Sequence, residues 1–162
     1  MNTPPKPDPA IYQKMRANAL RAPLPNLSED QVHVVLMDWH VGTGTATVLA
    51  ASDGTASIYL SSGGGFIGAG QKSKTVHSLA QQAVALARTA APLCEPIESI
   101  DLPPQGEVFF YLRTPANLHL GIASDAALGT GKDPFTALGA AMQKIVSAYR
   151  VISAQQPAKP KP

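Results

Sequence analysis

The sequence predicts an α+β domain in which a single five-stranded, mostly antiparallel sheet carries helices on both faces. Three observations predict it. Three strand-like runs follow one another across short Gly-bearing turns, so they must pair antiparallel. The first of them, QVHVVLMDW (31–39), is apolar on both alternating faces and therefore needs cover on both sides. Two later segments carry apolar residues at alternating spacings of 3 and 4, the period of helices that lay one face on a core.

The elements follow in order. Asp8-Pro9 is a helix start, an Asp able to cap followed by a Pro whose missing N–H costs nothing at the first helical position. Ile11, Met15 and Leu20 give that short helix its apolar side, and Pro23 and Pro25 end it. After the strand at 31–39, TATVLAA (45–51) forms a second, joined by a turn at Gly42 and Gly44. Asp53-Gly54 signals the next hairpin, leading into TASIYLSS (55–62). In this third strand Ala56, Ile58 and Leu60 face inward and Ser57, Tyr59 and Ser61 outward, so its outer face is expected to be the less buried one.

Beyond a glycine-rich stretch, Val76, Leu79, Ala83, Leu86 and Ala90 define a helix over 76–91. Pro96, Pro103 and Pro104 mark an extended link. EVFFYLRT (107–114) and LHLGIAS (118–124) are two more strands around a Pro115-Ala116-Asn117 turn, and 129–132 reads as loop. A second Asp-Pro pair, Asp133-Pro134, opens the strongest helix, with Phe135, Leu138, Met142, Ile145, Tyr149 and Ile152 on one face.

This order of elements, with two long amphipathic helices at 76–91 and 135–152, resembles the profilin-like architecture, including the roadblock/dynein-light-chain family. The resemblance covers 30–152 and implies a helix–sheet–helix sandwich. PAS-like and longin-like sheets are alternative readings of the same elements.

Composition bounds the organisation and the partners. The chain has 162 residues, 44% of them apolar, enough for one domain with a real core. Prolines crowd the ends: Pro4, Pro5, Pro7, Pro9, Pro23 and Pro25 at the start, Pro157, Pro160 and Pro162 at the finish. The expected division is a proline-rich arm with a short helix over 1–27, a globular domain over 28–152 and a disordered Pro/Lys tail over 153–162. From 28 to 150, seven Lys and Arg face ten Asp and Glu, a net charge of −3, so the positive excess sits on the ends. A nucleic-acid binder carries its basic patch on the folded surface, so nucleic acid is not an expected partner. No run approaches the ~20 apolar residues of a membrane span, and residues 1–9 lack the apolar core of a secretory leader. A single cysteine, Cys94, excludes an intramolecular disulfide. A soluble cytoplasmic protein is the expectation.

Two candidate sites emerge. The stretch SSGGGFIGAGQKSKT (61–75) holds Gly63, Gly64, Gly65, Gly68 and Gly70, followed by Lys72 and Lys74. Glycines can turn successive N–H groups toward an anion, a following helix adds its positive end, and the lysines add charge. The stretch also matches G-x-G-x-x-G, but Gly70 separates the match from the helix and no acidic residue stands about twenty positions on, which argues against a dinucleotide fold. The P-loop pattern fails because Gln71 intervenes before Lys72-Ser73. A mobile connection between strand and helix is the plainer reading of these glycines. Phe66 and Ile67 at such a position need apolar cover, and with Ser57, Tyr59 and Ser61 they form a candidate interaction surface.

Signals for catalysis are sparse. Asp38 and His40 share a strand face and could touch as an acid–base or metal pair, although a strand-end hydrogen bond is the commoner arrangement. No nucleophile elbow surrounds Ser61 or Ser62. Cys94 reads as a small buried hydrophobe, and Phe109-Phe110 as core. The expected function is a non-enzymatic protein-interaction or regulatory module, without catalytic residues, cofactor or metal, pairing as a homodimer or with a protein partner. The alternative is a small-ligand or anion-binding domain using the stretch at 63–74.

Overall fold

A computed structural model of the protein describes residues 9–24, 27–63, 65–67 and 73–155. The elements, in chain order, are α1 (Pro9–Arg21), β1 (Val34–Val41), β2 (Gly44–Ala51), β3 (Ala56–Leu60), β4 (Gly65–Ile67), α2 (Lys74–Ala90), β5 (Glu95–Pro96), β6 (Glu107–Arg113), β7 (Leu118–Ser124), α3 (Asp125–Gly129) and α4 (Thr136–Gln155). They form one antiparallel sheet in the order β4-β3-β2-β1-β6-β7-β5. The expectation of five strands is corrected: six have three residues or more, and Glu95–Pro96 adds a two-residue ladder against Leu120 and His119.

Why β1 is apolar on both sides is now plain. It lies at the centre, paired with β2 on one side and β6 on the other. Its residues Val35 and Met37 join Val48, Ile58, Phe110 and Leu112 in a core closed by α2 and α4. Val34 and Leu36 join Leu49, Phe109, Tyr111 and Leu20 of α1 on the opposite face. Helices therefore do lie on both faces, two long ones on the first and one on the second.

Local chemistry sets the helix boundaries. Ser73 has extended backbone and its Oγ accepts the Val76 amide at 3.3 Å, capping α2. The alanines Ala80, Ala83, Ala87 and Ala90 form the buried stripe of α2, while Leu79 and Leu86 pack along its margins. Small residues on the contact face let the helix approach the sheet and α4 closely. Asp133 accepts the Phe135 amide at 2.8 Å and opens the turn into α4. Phe135 then stacks on Phe110, with centroids 5.2 Å apart. In the segment at 129–132, expected as loop, Gly129 is instead the last residue of the one-turn helix α3, which Ser124 caps by accepting from the Ala127 amide.

Three expectations change at the ends of the chain. α1 is not part of a solvated arm: Tyr12, Arg16 and Leu20 are buried on the sheet, whereas Ile11 is exposed. The buried stripe is thus one residue round from the face that Ile11 and Met15 suggested, because it carries polar contacts as well as Leu20. α4 continues to Gln155, so 153–155 are helical rather than tail. The remainder of both expected ends, 1–8 and 156–162, lies outside the described residues.

The hairpin between β2 and β3 needs glycine at Gly54. Its φ is +88°, and an added Cβ would lie 2.0 Å from His77 Nδ1 on α2. Gly54→Ala is expected to cost roughly 1–3 kcal/mol through backbone strain and the displaced imidazole. Urea denaturation measures it, and an unchanged midpoint would contradict this packing.

Candidate functional site

Of the glycine-rich stretch, 61–63, 65–67 and 73–75 are described, and Gly65–Ile67 forms a strand at the edge of the sheet. Gly65–Ile67 pairs with β3 in the register Tyr59↔Gly65, Ile58↔Phe66 and Ser57↔Ile67. The turn before it is tied down: the Gly63 amide donates to the Leu60 carbonyl at 2.9 Å, and Ser61 Oγ accepts the Thr45 amide at 2.8 Å. Gly63 has φ +88° and Gly65 φ +143°, where only glycine is unstrained. A Cβ at Gly65 would meet the Ile58 carbonyl oxygen at 2.0 Å. These two glycines therefore serve the hairpin. Lys74 stands exposed on the first turn of α2. Gly64, Gly68, Gly70 and Lys72 lie outside the described residues.

The expected interaction surface is also rearranged. Ser57 and Tyr59 are 2% and 8% exposed, which corrects the view of their face as the open side of β3. α1 lies over that side and leaves a hollow of about 430 Å³ between Met15, Asn18 and Ala19 of the helix and Ser57 and Tyr59 of the strand. Ser61 is half-buried in the hairpin turn. The backbone of Phe66 and Ile67 lies in the outermost strand, so these two residues keep an edge position.

Beneath α1 sits a buried polar network that the sequence reading missed. Arg16 reaches Asp38 Oδ2 through Nε at 3.1 Å and Nη2 at 2.7 Å. Thr47, opposite Asp38 in the β1–β2 ladder, donates to Asp38 Oδ1, and Tyr12 donates to Thr47 Oγ1 at 2.8 Å. Arg16 also donates to the carbonyls of Ile100 and Asp101, while the Tyr111 hydroxyl donates to the same Asp101 carbonyl. The guanidinium lies 5.4 Å from the centre of the Tyr111 ring. Burial pushes the Asp38 carboxyl up from its ordinary range, and Arg16 and Thr47 pull against that rise. Arg113 completes the attachment by donating from β6 to the carbonyls of Ala19 and Ala22 at the end of α1. One faint signal existed in the sequence: Tyr12 and Arg16 stand at helical spacing with Leu20.

This network separates the candidate pair Asp38 and His40. Asp38 is fully buried against Arg16 and Thr47, while His40 Nε2 donates to the Pro103 carbonyl at 2.8 Å. His40 fastens the link at 97–103 to the sheet directly, and Asp38 holds the Arg16 guanidinium that bonds the same link. His33 contacts Ser52 Oγ and the Ser28 carbonyl, also through loop-fastening bonds. Among the described residues no group of three or more His, Cys, Asp and Glu is placed to hold a metal, and no helix is long and apolar enough to cross a membrane.

Two tests follow from this geometry. Arg16→Ala should cost about 3–5 kcal/mol by leaving the Asp38 charge buried and unpaired. Replacing the pair together, as Arg16→Met with Asp38→Leu, should cost less than that single change. Denaturant midpoints decide it, and a near-neutral Arg16→Ala would refute the ion pair. Burial pushes the Cys94 thiol from 9.0 up to about 11, and its Sγ lies 3.6 Å from the Ala90 carbonyl. Near neutral pH the native thiol should react with iodoacetamide about a hundredfold more slowly than a thiol at 9.0. Equal rates in native and denatured protein would contradict that environment.

Compared with known proteins, the chain matches no family profile, no curated protein and no solved structure.

Proposed function

We propose that this chain is a non-enzymatic interaction module that pairs with a second copy of itself through the β4 edge. The observation that carries the reading is the placement of Gly65–Ile67 as the outermost strand of the sheet. Edge strands are ordinarily guarded by charge, proline or cover, because their outer amides and carbonyls template pairing. Gly65-Phe66-Ile67 contains neither charge nor proline. The opposite edge differs: Glu95 and Pro96 lie along β7, and the Ile97 amide donates to the Leu118 carbonyl.

A second copy is the occupant that suits this edge. Two β4 strands related by a two-fold axis run antiparallel, so each donates and accepts in turn and the two sheets join into one. No like charges meet within the strands themselves. Val41, 53% exposed beside the half-buried Leu60 and the hairpin turn, supplies apolar surface nearby. Cys94 is a free thiol, which suits the reducing cytoplasm, and the reading keeps the protein there. The profilin-like, roadblock-type architecture belongs to the same proposal, supported by the order of the strands and the two long helices.

The alternative of an anion site on the glycine stretch has less support. Its Gly63 amide already donates within the turn, and Gly65 is engaged in the β3–β4 ladder.

Light scattering across a concentration series tests the reading. The expected mass is near twice 16.9 kDa, and Ile67→Lys, which puts a charge on the edge, should return the protein to a monomer. A strict monomer at high concentration, or a dimer indifferent to Ile67→Lys, would overturn it.

A further inference from the structure

A cavity of about 260 Å³ opens between the sheet and the last two helices. Its floor is Met37 of β1, Val108 of β6 and Gly139 of α4, all buried, and its walls are Trp39 and Leu128, both half-buried. Asp125, Ala140 and Gln143 stand exposed at its rim. This site is separate from the β4 edge, since β3 and β2 lie between that edge and β1.

Gly139 is the informative residue. Gly139 is the fourth residue of α4, and a glycine in a helix costs up to about 1 kcal/mol relative to alanine, so it calls for a local reason. Packing does not supply one. A Cβ at Gly139 would meet Leu128 Cδ2 at 3.5 Å and Phe110 Cζ at 3.6 Å, ordinary contact distances. Its backbone is not in the left-handed region either, for Gly139 is absent from the positive-φ glycines. The helix therefore forgoes a side chain that would fit, at the point where that side chain would take space from the cavity.

We propose that this cavity binds a small fused aromatic amine or a similar flat, cationic heterocycle. Size sets the upper bound: ~150 Å³ accommodates a benzene ring, so 260 Å³ admits a two-ring system. Shape and polarisability favour a flat aromatic, because Trp39, Met37 and Leu128 present an indole, a thioether and an isobutyl group. Charge selects the sign. Among the described residues Asp125 is the one ionisable side chain in the lining, and Gln143 offers a further acceptor. Thr136 is committed, its hydroxyl donating to the Asp133 carbonyl at 2.7 Å. An amine or protonated ring nitrogen would meet the Asp125 carboxylate at the mouth while its rings lie against Trp39, where the indole face also attracts a cation.

Trp39 is the one tryptophan of the chain, so its emission reports on this cavity without labelling. The test titrates 4-aminoquinoline, and 2-naphthoate as the anionic counterpart of equal ring count, into the purified protein while following Trp39 fluorescence and melting temperature. The expected result is saturable binding of 4-aminoquinoline with a raised melting temperature, weakened about tenfold by Asp125→Asn. Gly139→Ala should raise the melting temperature of the free protein by ~2–4 °C, as the helix regains a favourable residue. Gly139→Leu, which fills the floor, should abolish binding. If that variant does not fold, Ala140→Phe narrows the exposed rim without entering the core and should weaken binding as well. No saturable response in the wild type, or binding unaltered in Gly139→Leu or Ala140→Phe, would overturn the site. Equal binding of 2-naphthoate would overturn its preference for a cation.

Discussion

The ion pair between Arg16 and Asp38 is the contact on which one whole side of this molecule depends. Removing a carboxylate and a guanidinium from water costs several kcal/mol for each ion. The protein offsets this by giving both groups further partners: Thr47 for the carboxylate, and the carbonyls of Ile100 and Asp101 for the guanidinium. No buried side-chain polar atom among the described residues lacks a hydrogen-bond partner. The same guanidinium therefore holds three things in one register: α1, the central strand β1 and the link at 97–103. A slip of α1 by one residue would leave Asp38 bare in the core. The pair thus acts as a positional lock, with apolar burial supplying most of the stabilisation around it.

The two faces of the sheet are built by different physics. On the α2 and α4 side, closely packed alanines, Phe110 stacked on Phe135 and the aliphatic stripe of α4 make an apolar core. On the α1 side, two arginines attach a short helix. Arg16 reaches down from the helix and Arg113 up from β6 to its last carbonyls. Thirteen residues are marginal for a helix standing alone. α1 is thereby ordered by its contacts more than by its own propensity. The sheet edges are unequal as well: one is shielded by Glu95 and Pro96, and the other ends in a short uncharged strand between glycines.

The periodic elements were legible in the sequence because periodicity is local. The double-faced apolar run of β1, the spacing through α2 and α4, and the Asp-Gly and Asp-Pro signals at a turn and a helix start all report on neighbours within a few residues. The short pieces were not legible. β4 has three residues and α3 five, too few to show a period, and glycine carries no side-chain pattern. Gly63 and Gly65 are there because the hairpin requires positive φ at both and a close approach to Ile58 at Gly65, a need that a glycine in the sequence does not distinguish from looseness.

The chain by itself determined an antiparallel sheet between helices, the hairpin order of its strands and the identity of most core residues, since side-chain alternation and helical spacing are inherited from covalent geometry. Only the tertiary structure decided which polar groups go inside. Asp38 is partnered by Arg16, 22 positions earlier, and not by His40 two positions on. Ser57 and Tyr59 are buried because α1 arrives from a distant part of the chain. The physical reason is that hydration is lost wherever another element happens to pack. A polar residue's partner is set by that long-range docking, which no pattern confined to its own strand or helix can encode.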